Sequence, residues 1–299
     1  MRAASRYHSI QIKIDMQHPF HSYPAPAKLN LLLHVVGKRP DGYHLLETVF
    51  RFIDFGDTLE LAVRDDGEIV LLTPTDGVPP EQDLTVRAAR LLQRESGCRL
   101  GASIKLEKRT PMGGGLGGGS SDAATALIAL NRLWGLAWPR ERLQALGLQL
   151  GADVPVFIFG RNALATGVGE VLEPIPLKPA WYLVIHPQVH VSTIEVFRNF
   201  SQTVLTEIGR VGIMRILETT QQRRNDLQSV VEKRFPAVNE VLSELRKYGS
   251  PLMTGSGSCV FLEFESKDEA DKVYRVLSQK YQGFVAEGLD VHPLFDSAE

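Results

Sequence analysis

The chain has 299 residues, with Lys+Arg 33 against Asp+Glu 35 for a formal net charge of −2, and 43% of its residues are hydrophobic. That is enough for one large domain or two ordinary ones, and no basic surplus tracks a nucleic-acid backbone, so nucleic acid is not an expected partner. The longest apolar runs, such as Val154-Pro155-Val156-Phe157-Ile158-Phe159, are far too short to span a bilayer, so no membrane partner is expected either.

Residues 1–22 have little periodicity beyond Ser9 to Ile14 and are expected to form a peripheral extension, with Met16 as an alternative start. The absence of an apolar signal core near Met1, and of an Arg/Ser-rich leader, points to a bacterial cytoplasm. Cys98 and Cys259 agree with a reducing compartment, since they lie far apart and fit no zinc spacing. From Ala25 to Val63 the pattern is strand-like: Leu29 to Val36, a polar turn Lys38-Arg39-Pro40-Asp41-Gly42, then strands at 48–53 and 58–63. A helix near 83–95 carries Leu84, Ala88, Leu91 and Leu92 on one face behind an Asp83 cap. A strand at 103–108 leads into a glycine-rich loop, a helix from Ser121 capped by Ser120, and a second helix opened by Pro139.

Prolines in Glu173-Pro174-Ile175-Pro176-Leu177-Lys178-Pro179 suit an inter-domain connection. The division expected is an N-terminal nucleotide-binding domain at 23–172 and a C-terminal domain at 173–299 whose last strand pairs back. The second half reads as a strand at 181–185, helices near 193–218 and 226–248, and a strand at 259–262. It closes with a helix behind the capping box Ser266…Glu269 and a strand near 284–291. Strands and helices alternate without a regular βα repeat, which makes the fold class α+β, two domains meeting at a cleft.

The loop Pro111-Met112-Gly113-Gly114-Gly115-Leu116-Gly117-Gly118-Gly119-Ser120-Ser121 has the character of an anion cradle. Glycines admit positive φ and close backbone approach, and the first helical turn offers unpaired N–H groups at the positive end of the dipole. A flexible linker would not run directly into Ala123-Ala124-Thr125-Ala126-Leu127-Ile128. No lysine follows the glycines, which excludes a Walker loop. The formal G-x-G-x-x-G at Gly113, Gly115 and Gly118 follows a strand with one wet face, unlike the buried parallel strand of a dinucleotide fold. H-R-D, D-F-G and A-P-E are all missing, which excludes a protein kinase.

Elsewhere single residues are ambiguous. Lys28 in an apolar strand reads alone as an edge lysine. Asp153 before Val154-Pro155 reads as a helix cap. His186 and His190 have i, i+4 spacing, but Pro187 between them argues against a helical metal pair.

Taken together, Pro26-Ala27-Lys28-Leu29-Asn30-Leu31, Asp41-Gly42-Tyr43-His44, the glycine loop, Leu150-Gly151-Ala152-Asp153-Val154-Pro155 and Met253-Thr254-Gly255-Ser256-Gly257-Ser258-Cys259 resemble the GHMP small-molecule kinases, from about Pro24 to the C-terminus. The resemblance implies ATP-dependent phosphorylation of an alcohol, with the 2-hydroxyl of a cytidine diphosphate methylerythritol as acceptor in isoprenoid biosynthesis. The alternatives are a family member acting on homoserine, mevalonate or a sugar, and a non-catalytic ligand sensor. The catalytic residues implied are Lys28 and Asp153, the aspartate as general base. Residues 111–121 would hold the ATP phosphates. Asn30, Tyr43, His44, Thr193 and Phe197 would bind the substrate, the pyrimidine ring lying between Tyr43 and Phe197, and Gly255, Ser256 and Gly257 would shape the site. Mg²⁺ is expected with few protein ligands, Ser121 among them. A homodimer is compatible with the family, and the sequence leaves the oligomeric state open.

Overall fold

The computed structural model describes residues 18–201 and 208–298. The first 17 residues, which hold Met16 and the stretch at 9–14, lie outside that range, whereas His21 and Ser22 already pair with Leu61 and Glu60. The opening hairpin joins β1 (His21–Lys38) to β2 (His44–Arg64), with bulges after Pro26, Asn30 and Val35. Where the sequence suggests two strands at 48–53 and 58–63, β2 is continuous. Its polar middle finds partners instead of turning: Asp54 accepts the Glu287 N–H at 2.6 Å, and Asp57 sits opposite Ala25.

A short β3 (Ile69–Leu71) precedes α1 (Leu84–Ser96), capped as expected by Asp83, whose carboxylate accepts the Thr85 N–H at 2.8 Å. After β4 (Gly101–Glu107) comes α2 (Gly118–Leu133), in which every residue from Ser121 to Asn131 is buried. Then follow α3 (Arg140–Leu148), α4 (Val154–Phe159) and the hairpin β5 (Ala163–Thr166) and β6 (Val171–Pro174). Leu91, Leu92, Leu127, Leu130, Leu143 and Phe157 join these helices to β1, β2 and β4 in one apolar layer.

The second half has β7 (Trp181–His186), α5 (Thr193–Asn199), α6 (Gly209–Leu217), α7 (Gln228–Arg234), α8 (Pro236–Leu245), β8 (Leu252–Met253), β9 (Val260–Phe264), α9 (Lys267–Leu277) and β10 (Gln282–Leu289). The helix expected over 226–248 is two helices, because Pro236 opens a new one at its first position and cannot donate within the old. The stretch expected as helix over 193–218 holds α5 and α6, with 202–207 between them outside the described residues.

The strands run β3-β4-β2-β10-β7-β9-β8, with β1 and the β5–β6 hairpin also on β2. The junction is β10, which pairs with β7 along its length and meets β2 at Gly288 and Leu289, opposite Ile53 and Phe52. Beside it lies Arg51, fully buried, its guanidinium donating to the Gly288 carbonyl at 2.9 Å and to Asp290 at 3.1 Å.

Candidate active site

Lys28 is no surface lysine. It lies mid-strand on β1, 2% exposed, its backbone N–H donating to the Leu116 carbonyl of the glycine loop at 2.9 Å. A buried ammonium needs partners, and Nζ has three: Asn30 Oδ1 at 2.6 Å, Asp153 Oδ2 at 3.2 Å and the Phe50 ring at 5.2 Å. Asp153 occupies the position before α4, but its backbone is already helical and its side chain caps no N–H. The carboxylate that reads as a cap is turned onto Lys28 and stays 37% exposed, so one face of the pair is dry and the other open.

The glycine loop is clasped from the opposite side by the turn after β8. Ser258 N–H donates to the Gly113 carbonyl at 3.2 Å, Cys259 N–H to the Gly114 carbonyl at 3.0 Å, and the Thr254 hydroxyl to the Gly115 carbonyl at 3.2 Å. Gly115 has φ +77°, and a Cβ there would lie 2.2 Å from the Thr254 carbonyl oxygen, so loop and turn touch backbone to backbone. Gly117, at φ 73°, is the cap residue of α2 and makes no side-chain cap bond. The helix therefore starts before Ser120, which sits inside the first turn and lines the cavity instead of capping. Ser121 does not reach the cavity: its buried hydroxyl donates to the Pro26 carbonyl at 2.7 Å, which turns it away from the position expected of a metal ligand.

Residues 111–120, Lys28, Asn30, Asp153, Thr193, Phe197 and Gly255 to Gly257 line one cavity of about 550 Å³. Thr193, at the start of α5, hydrogen-bonds Ser256 through its hydroxyl at 2.7 Å and so ties α5 to the turn. Tyr43 and His44 are not on that wall. Tyr43 is 63% exposed, while the His44 ring stacks on Phe197 with centroids 5.1 Å apart and meets the edge of Phe200 at 5.9 Å. Burial, with the Lys38 charge adding, holds the His44 imidazole below its usual range. His190 packs against Gly113, and His186 ends β7.

Sequence reasoning missed the other end of the cavity. There Lys108 bridges two buried carboxylates, Asp57 at 2.5 Å and Asp122 at 2.8 Å, and Asp57 also accepts the Arg109 and Thr110 N–H groups at 2.6 and 2.8 Å. The visible signal was Asp122 itself, a carboxylate inside the apolar run of α2. Burial pushes the Asp122 carboxyl up to about 8, with the Asp57 charge adding to it and Lys108 opposing, and its Oδ1 has no partner among the described residues. A carboxyl raised on folding favours the native state while protonated, and that contribution is lost as pH rises from the unfolded value towards 8. Asp122→Asn has no such loss. Its melting temperature, followed by circular dichroism, should gain on the parent between pH 4 and pH 8 and keep a constant lead above that. A gap independent of pH would disprove the raised carboxyl.

Next to this cluster the cavity wall turns apolar, with Val78, Leu84 and Leu106 beside Thr75 and Gln82. The whole is a slot with the glycine loop and the N-terminus of α2 in its middle, a lysine–aspartate pair on one side and a mixed apolar and polar recess on the other.

Known proteins resemble this chain in sequence and fold. GHMP kinases N terminal domain matches residues 83–161 and GHMP kinases C terminal matches residues 206–283. The chain is 57% identical over 281 residues to the 4-diphosphocytidyl-2-C-methyl-D-erythritol kinase of Nitrosospira multiformis, covering 93% of this chain and 94% of that one. It is 55% identical over 279 residues to the protein of that name from Ralstonia nicotianae, covering 91% and 94%. A crystal structure of 4-(cytidine 5'-diphospho)-2C-methyl-D-erythritol kinase superposes with a TM-score of 0.78 at 35% identity, over 90% of this chain and 99% of that one. Homoserine kinase from Cytophaga hutchinsonii shares the fold at a TM-score of 0.66 and 17% identity, over 91% and 95%. The chain therefore belongs to the GHMP kinase family and groups with its 4-diphosphocytidyl-2-C-methyl-D-erythritol kinases.

Proposed function

We propose that this chain is an ATP-dependent kinase that phosphorylates the 2-hydroxyl of 4-diphosphocytidyl-2-C-methyl-D-erythritol in non-mevalonate isoprenoid precursor biosynthesis. The observation that carries the reading is the Lys28–Asp153 pair, 3.2 Å apart and half open, on the wall of the same cavity as the N-terminus of α2. Phosphoryl transfer asks mainly for positioning and charge stabilisation, and those are the parts present.

In this reading the ATP phosphates lie on the N–H groups of 113–120, where the glycines give backbone access and the α2 dipole favours negative charge. The nucleoside end takes the recess lined by Val78, Leu84 and Leu106. Asp153 accepts the proton of the attacking hydroxyl, the oxygen bonds to the γ-phosphorus in line, and ADP leaves with the electrons of the broken bond. Lys28 stabilises the equatorial oxygens of the group in flight. Mg²⁺ would supply charge neutralisation at the phosphates. Among the described residues no group of three His, Cys, Asp or Glu side chains could hold a metal ion, and the carboxyl groups of Asp153 and Asp122 on the cavity each face a lysine, which suits an ion held by phosphates and water. None of the described helices is long and apolar enough to cross a membrane, and a cytoplasmic setting fits the substrates.

The test is ADP release from Mg-ATP with the cytidine substrate beside mevalonate, homoserine and galactose. Turnover confined to the first is expected, and preference for another alcohol would overturn the assignment. Tyr43 is read as one face of the pyrimidine site, and Phe197, whose ring stacks on His44, as part of its wall. Base–aromatic stacking is worth about 1–3 kcal/mol, so Tyr43→Ala should raise the KM for the cytidine substrate by roughly 10- to 100-fold and leave that for ATP alone. Equal losses for both ligands would mean that the 38–43 turn had collapsed.

A further inference from the structure

The Lys28 ammonium depends on which way the Asn30 carboxamide faces. The two ends of that group are nearly the same shape but opposite in hydrogen-bonding sense. With Oδ1 towards Lys28 it accepts from Nζ, as observed at 2.6 Å. Flipped, it would set an NH₂ against a buried cation.

The direction is decided one residue further back, on β2. The Thr48 hydroxyl lies 2.6 Å from the Leu32 carbonyl, which can only accept, so the single hydroxyl proton is committed there. What Thr48 can offer Asn30 is a lone pair, and Asn30 Nδ2 donates to it at 2.8 Å. Oδ1 is thereby forced towards Lys28. The backbone end of Asn30 is fixed as well, its N–H donating to Thr254 Oγ1 at 3.0 Å. Thr48, Asn30, Lys28 and Thr254 are all at most 2% exposed, so water cannot easily substitute for a missing partner. With one N–H of the ammonium on Asn30 and another on Asp153, the third remains for the open side of the cavity.

We propose that Thr48 is a positioning residue that sets the polarity of the Asn30 carboxamide and through it places the Lys28 ammonium against Asp153 and the phosphoryl group. The proposal rests on the kinase reading above for its catalytic consequence, though not for its geometry.

The test uses the full chain and four variants of it. Thr48→Val keeps the shape and removes the hydroxyl. It should lower kcat on the cytidine substrate by about 10- to 100-fold, the loss expected of a misplaced reacting group, with both KM values little changed. Thr48→Ser restores the hydroxyl and should recover most of the turnover. Asn30→Asp has two like oxygens and no polarity to set, so adding Thr48→Val to it should cost nothing further, or relieve the contact between two acceptors. A readout independent of the reaction is hydrogen exchange of the Asn30 side-chain amide, assigned by its absence in Asn30→Asp. The exchange should be slow in the parent and in Thr48→Ser, and fast in Thr48→Val. Full turnover in a folded Thr48→Val, or an equal loss in both backgrounds of the cycle, would overturn the proposal. Should Thr48→Val fail to fold, Thr48→Ser with Asn30 amide exchange as fast as that of exposed side-chain amides would overturn it too. A parent inactive on the cytidine substrate would refute the kinase reading alone, while the amide exchange still decides the role of Thr48.

Discussion

Asp153→Asn is expected to lower kcat by about 10²- to 10⁴-fold, the range of a general base, with ATP affinity almost unchanged. The geometry makes this substitution unusually clean. Asp153 holds the cap position of α4 without capping it, so the amide forfeits no helix-stabilising bond. It is over a third exposed, so the substitution leaves no cavity. What the amide cannot do is accept a proton, and its NH₂ end would be a poor neighbour for Lys28. Steady-state kinetics on the cytidine substrate, with ATP binding measured separately, checks both halves. Near-normal turnover would remove Asp153 from the mechanism.

Gly115→Ala is expected to cost about 2–4 kcal/mol of stability and most of the ATP binding, combining a left-handed φ with overpacking. The added carbon would lie 2.2 Å from the Thr254 carbonyl oxygen and 3.2 Å from that of Gly257, and both belong to backbone that cannot swing aside. Either the loop or the turn must retreat, and the bonds from Ser258 to Gly113 and from Cys259 to Gly114 go with it. Gly119→Ala is the control for stability. It is helical, its nearest neighbour would be the Leu84 side chain at 3.4 Å, and alanine is the better helix former. Thermal melts of the two variants should move in opposite directions, and a Gly115→Ala protein as stable as its parent would mean that the loop and turn are not held in register.

Much of this was legible in the sequence, for identifiable reasons. Apolar runs located β1, β7 and β9, polar–apolar alternation located β4, and Asp83 marked the start of α1, because those signals are local. The glycine loop running into a helix was legible because glycine density ahead of an apolar helical run rarely marks a linker. The start of α2 was not, since Gly117 ends the loop by its backbone alone and Ser120 looks like a better cap than it is. Continuity of β2 was hidden for a similar reason: Asp54 and Asp57 look like turn residues until their partners arrive from β10 and from residues 109–110. The roles of Lys108, Thr48 and Thr254 were not legible because they consist of bonds to residues distant in sequence, 51 positions away for Lys108 to Asp57 and 224 for Thr254 to Asn30.

The buried Arg51 has a consequence for how the chain is made. Its guanidinium donates to the Gly288 carbonyl, 237 residues later. On a ribosome, β2 would emerge and pair with β1 long before β10 exists, leaving a cation in the middle of its longest strand with nothing to satisfy it. Early closure of the first half is thereby disfavoured. The central strand stays uncommitted on that side until residues 288–290 have been made, and β10 serves as the latch.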